Sequence, residues 1–88
     1  MITRSAKRMI VAADIRPLLE DARTEGRTCG ERLAGQSLEE FRLSFEAVQA
    51  GIRWSDHHGV VIDGAAASRY VTAFVSAAEH ARHEVTRG

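Results

Sequence analysis

The feature that most constrains this chain is an apolar step of alternating four and three residues that occurs three times along it. Ile15, Leu19, Ala22, Gly26, Cys29 and Leu33 carry the first run, Leu38, Phe41, Phe45, Val48 and Ile52 the second, and Val71, Phe74, Ala78, Ala81 and Val85 the third. Positions spaced this way share one stripe of a helix, and such a stripe is stable only when another surface covers it. The chain therefore reads as helices packed on helices, within one copy or between copies. The shared step is a common period rather than a sequence repeat.

Length decides how much core those stripes can build. The 88 residues suit one helical domain over 1–88, with 1–5 expected to fray. Leu, Ile, Val and Phe together make up 20 residues and Ala another 14, so folding is expected around a thin core, because alanine buries little area. A core of that kind is often completed by a partner, and a homodimer or another bound protein is expected. The alanine- and arginine-rich composition suits a high-GC bacterium, its phage or a plasmid.

The local signals divide the chain into an all-α fold of three main helices, at about 15–34, 38–53 and 64–85. Asp14 followed by Pro17 reads as a helix start, with the acid as cap and proline tolerated in the first turn. The heptad step passes through Gly26 and Gly30 to Leu33, which favours one helix ending at Gly35; a break at Gly26 would instead make 27–36 a loop. In the continuous form the two glycines lie on adjoining turns and let another helix approach closely. Ser37-Leu38-Glu39-Glu40 has the form of a capping box and is expected to open the second helix, with Phe41 and Phe45 as its main anchors. Leu43, Ala47, Ala50 and Trp54 form a second, weaker stripe on that helix, which marks it as central. Ser55 to Gly59 reads as a polar turn, and Asp63 as the cap of the last helix. The short runs 9–11 and 60–62 could pair as a minor two-stranded β element.

The ionisable residues limit the function classes. Twelve basic and twelve acidic side chains balance, which removes the broad positive field that non-specific nucleic-acid or membrane binding needs. Arg4, Lys7 and Arg8 form a basic cluster at the start of the chain, while Glu39, Glu40 and Glu46 crowd the helix that would have to read DNA, so a DNA-binding regulator is the second reading. His57, His58, His80 and His83 are the candidates for a metal site and give a third reading. Their spacing fits helix-surface pairs with Glu79 and Glu84 better than a ligand set, and the order departs from the His-Glu-x-x-His pattern. The single Cys29 lies in the first apolar stripe and reads as a buried, reduced thiol, which favours the cytoplasm. No apolar run reaches membrane-spanning length, and no catalytic motif or cofactor-binding loop is present.

These readings converge on a soluble, non-enzymatic protein without cofactor or metal, acting by protein–protein interaction as a regulator, inhibitor or assembly subunit. Phe41, Phe45, Trp54 and Arg42 are the interface candidates, with apolar anchors supplying area and charged rims setting orientation. Trp54 is expected to pack on the core, and to anchor a partner if it is exposed instead.

Overall fold

The computed structural model describes residues 8–87. In chain order it contains strand β1 (Arg8–Ile10), a 3-10 turn (Ala12–Asp14), helix α1 (Arg16–Arg32), helix α2 (Arg42–His58), strand β2 (Val60–Ile62) and helix α3 (Gly64–Arg87). The expected three helices and minor sheet are present. The strands pair in parallel, Arg8 with Val60 and Ile10 with Ile62, so the first strand lies one residue earlier than its apolar run suggested. Asp63 N–H continues the ladder by donating to the Ile10 carbonyl at 3.0 Å.

Two strand–helix units, β1–α1 and β2–α3, lie side by side. Gly26 of α1 lies over Phe74 of α3 and Gly30 over Ala78, so residue numbers rise together and the two helices run in the same direction. Helix α2 runs back between them, placing Trp54 near Asp21 and Glu46 near Cys29 and Arg32. Leu18, Ala22 and Cys29 of α1, Leu33 just after it, and Tyr70, Phe74 and Ala78 of α3 are buried in one apolar core. The step that passes through Gly26 is thus one uninterrupted helix, and the absence of side chains lets the backbones touch. A Cβ on Gly26 would stand 3.0 Å from the Cα of Phe74 and closer still to its carbonyl oxygen. One on Gly30 would stand 2.8 Å from the Cα of Ala78.

Helix ends follow local chemistry in some places and depart from it in others. Asp63 caps α3 as expected, its Oδ1 accepting the Ala66 N–H at 2.7 Å. Gly35 and Gly59 take positive φ, +80° and +61°, where the chain leaves α1 and α2. Asp14 is not the cap of α1: it ends the preceding 3-10 turn, and Ile15 occupies the cap position with no side-chain hydrogen bond. Proline 17 does sit in the first turn. The capping box at Ser37 does not form either, because Leu38 packs on the core while the chain is still non-helical, and α2 begins only at Arg42 behind Phe41. That helix then runs on through His58, so residues 55–58 are helical rather than a turn. The linker between α1 and α2 is tied to α3 by Arg82, whose Nη2 donates to the Gln36 carbonyl at 2.6 Å.

The largest departure concerns which face of α2 turns inward. Its weaker stripe does so: Leu43, Ala47 and Ala50 are buried and Trp54 is half-buried. Phe41 and Phe45, expected as the main anchors of this helix and as interface candidates, lie exposed on the other face. The inward stripe brings Ala47 and Ala50, small enough for close helix approach, against the α1–α3 pair, with Leu43 and Trp54 packing on the core at either end. The result is elongated, with extents of 57 × 24 × 19 Å and a radius of gyration of 14.7 Å. A compact chain of this length would have about 12 Å.

The seam makes a prediction against helix propensity. Gly26→Ala and Gly30→Ala each gain about 1 kcal/mol of intrinsic helix preference, yet both push a methyl group into backbone that no rotamer change can move. Thermal and urea unfolding should show a net loss of about 1–3 kcal/mol for each. Equal or greater stability in both variants would contradict the packing.

Candidate functional site

The outer face of α2 is an apolar surface built by one helix. Phe41, Phe45, Val48 and Ile52, spaced four, three and four, are 70%, 59%, 47% and 52% exposed. They lie along the side of the helix opposite Leu43, Ala47 and Ala50, so one helix carries two apolar stripes and only one is covered. Val61 on β2 is also exposed. Between Ile52 and α3 the surface dips into a groove of about 330 Å³ lined by Val48, Ile52, Val60, Val61, Tyr70 and Val71. Scattered exposed apolar residues are ordinary, but a contiguous row at helical spacing beside an apolar groove is a feature of binding surfaces.

Charged groups flank the row. Arg42 is half-buried and donates from Nε to Glu46 Oε2 at 3.1 Å, while Arg32 of α1 reaches Glu46 Oε1 at 2.9 Å. Burial works to raise the Glu46 pKa, but the hydrogen bonds from Arg42 and Arg32 outweigh it and hold the carboxyl below its usual range. Arg42, an interface candidate from the sequence, therefore fixes one edge of the row and is itself held by Glu46. Glu39 and Glu40 are exposed at the start of α2, and Arg53, Asp56, His57 and His58 at its end.

Trp54 is not a free anchor. Its indole donates from Nε1 to Asp21 Oδ2 at 2.8 Å and stacks on His58 with ring centroids 4.1 Å apart, so it closes the α1–α2 contact as a lid, as core packing required. Behind it, Tyr70 is buried with its hydroxyl lacking a hydrogen-bond partner among the described residues. Burial, reinforced by Glu25, pushes its pKa up to about 12, so it stays neutral and is no base near pH 7.

The four histidines are not brought together. His57 and His58 line a groove with Asp21 and Arg53, His80 another with Arg23 and Arg69, and His83 a third with Leu38 and Leu43. His80 pairs with Glu84 at 2.8 Å, the helix-surface contact that the spacing predicted. No group of three or more His, Cys, Asp or Glu side chains is placed to hold a metal among the described residues. Of the basic cluster, Arg4 and Lys7 lie outside the described residues, as do residues 1–5. Arg8 is exposed on β1. Helix α2, the recognition element a DNA reader would need, turns phenylalanine, valine and isoleucine outward where phosphate contacts call for lysine and arginine. No described helix is long and apolar enough to cross a membrane.

Cys29 sits where the apolar stripe placed it, buried at the α1–α2 contact with Arg32 Nη2 at 3.8 Å and Glu46 Oε1 at 3.9 Å from its sulfur. Burial and then the Glu46 charge push the thiol pKa up, against the smaller opposing effect of the arginines. A protonated, covered thiol is a poor nucleophile.

Val48, Ile52 and Val61 join the surface although the sequence did not single them out as interface residues. For Val48 and Ile52 the signal was present in the second run of the heptad step, which needed cover from within the chain or from another; Val61 belongs to the short β-branched run 60–62. Comparison with known proteins adds nothing to this geometry: no protein-family model, no curated protein and no solved structure matches the chain.

The thiol environment is directly testable. Cys29 in the native protein should react with a disulfide reagent at least ~100-fold more slowly than in denaturant at the same pH, since reaction must await opening. Reaction at the unfolded rate would mean that the α1–α2 contact is not closed.

Proposed function

We propose that this chain acts without catalysis, by docking another protein on the outer face of α2, as a small regulator, inhibitor or assembly subunit. A single observation carries the reading: Phe41, Phe45, Val48 and Ile52 form an uncovered helical stripe on a domain whose own core is already closed. An uncovered stripe of this spacing is what a helix-in-groove or helix-on-helix partner binds, with apolar anchors at i, i+4, i+7 and i+11. The flanking Arg42, Glu46, Glu39 and Glu40 supply the polar rim that fixes orientation without adding much affinity. The buried, protonated Cys29 supports a reducing compartment such as the cytoplasm as the place of action.

Phenylalanine and isoleucine so exposed contribute little to the isolated fold, which separates the binding role from a stability role. A photo-cross-linking residue at Gln49, exposed on α2 beside the row, should capture protein in the native host. The same residue at Thr72, exposed on α3 and lining the groove with Arg23 and Arg69, should not. Equal capture from both positions, or none from Gln49, would overturn the reading.

A further inference from the structure

We propose that the occupant of the α2 face is a second copy of this chain, its α2 packed antiparallel to the first about a two-fold axis, with each Phe41 seated in the other copy's groove between α2, β2 and α3. The inference rests on the docking reading above and specifies the partner.

The stripe is nearly self-matching in one direction only. Its centre lies between Phe45 and Val48, so antiparallel pairing sets Phe41 against Ile52 and Phe45 against Val48, one aromatic and one β-branched side chain in each of four layers. A parallel pair would stack phenylalanine on phenylalanine at one end and leave two thin aliphatic layers at the other. Alternating four and three spacing is that of knobs-into-holes packing, and a two-fold interface requires one patch to fit itself.

The groove gives this direction a second reason. It opens beside Ile52, the residue that antiparallel pairing places across from the partner's Phe41, and its lining is mostly apolar, with Val60, Val61, Val71 and the Tyr70 ring beside Ser55 and Asp56. Its volume of about 330 Å³ accommodates one aromatic ring. Phe41 is the most exposed large apolar residue among those described and has no pocket in its own chain. Each copy thus holds a projecting ring and an empty apolar groove, and the two-fold brings them together twice.

Charge favours the same direction. Glu39 and Glu40 stand at one end of α2 and Arg53, His57 and His58 at the other, with Asp56 the one acid there. Antiparallel pairing keeps the two pairs of glutamates at opposite ends of the interface, whereas parallel pairing crowds four glutamates at one end. On the flank of the row Arg42 faces Gln49, so no like charges meet beside the core. With an aromatic side chain worth ~150–250 Å², the row and Val61 offer roughly 400–500 Å² of apolar area per copy. That is the apolar centre of an interface of the usual ~800 Å² per partner.

Sedimentation velocity from micromolar to millimolar concentration tests the pairing. The wild type should pass from monomer to dimer, and Ile52→Glu should weaken association at least ~10-fold, as should Phe41→Ser, with helical circular dichroism unchanged in both. Mixing Phe41→Cys chains with Ile52→Cys chains should give a disulfide-linked heterodimer, while Phe41→Cys chains alone should link far more slowly. Buried Cys29 stays out of the exchange. A wild type that stays monomeric throughout, or Phe41→Cys chains that link to each other fastest, would overturn the proposal. If a monomeric chain still captures a different protein from Gln49, self-pairing fails and the docking reading survives. No capture from Gln49 would sink both.

Discussion

The contact on which the rest of this structure depends is the approach of α1 to α3 at Gly26 and Gly30. Nothing but main chain stands between the helices there, with α3 carbonyls where Cβ atoms would otherwise lie. Two consequences follow from that closeness. Tyr70, Phe74 and Leu18 are sealed almost completely, so a chain poor in large apolar residues still obtains a dry centre. The seam also sets the surface against which the third helix packs.

Helix α2 meets that surface with one of its two stripes. Ala47 and Ala50 are buried and Leu43 and Trp54 complete the contact, while the face bearing two phenylalanines, a valine and an isoleucine turns to water. Exposing such a face lowers solubility, and nothing within the described residues reaches over to cover it. The strands do not relieve it, since β2 adds Val61 to the same surface and a groove beside it. The polar edges are organised more firmly than the apolar centre: Glu46 is held by arginines from two helices, and Trp54 is fixed by Asp21 and His58. Held polar side chains thus border an uncovered apolar row, the arrangement from which the docking proposal is argued.

Much of this was legible in the sequence, and the remainder was hidden for definite reasons. Periodicity located all three helices, the passage of α1 through Gly26 and the value of its glycines for close approach. Asp63 announced the last helix, and two β-branched or apolar triplets announced the parallel strands to within one residue. Three local signals misled, one of them the expected turn at Ser55 to Gly59, which is helical through His58. Ser37 to Glu40 has the letters of a capping box, but Leu38 is drawn onto the core and the helix waits until Arg42. Asp14 is consumed by a 3-10 turn. The inside and outside of α2 could not be told apart by period, because both stripes obey it. What decides is the surface that α1 and α3 present to α2, which the letters of α2 do not contain. Of the interface candidates named from the sequence, Phe41 and Phe45 are exposed and Arg42 and Trp54 are half-buried, Trp54 packing against the core.

The central claim is that α1 and α3 seal against each other and thereby leave the phenylalanine face of α2 outside. Hydroxyl-radical footprinting of dilute protein, read residue by residue by mass spectrometry, addresses it in one measurement because three phenylalanines and one tyrosine report on both sides. Phe41 and Phe45 should be modified at close to the rate of an unfolded chain, and Tyr70 and Phe74 should be protected. Protection of Phe41 and Phe45 in the monomer, with modification of Phe74, would mean that α2 packs with its other face inward and that the seam does not close as described.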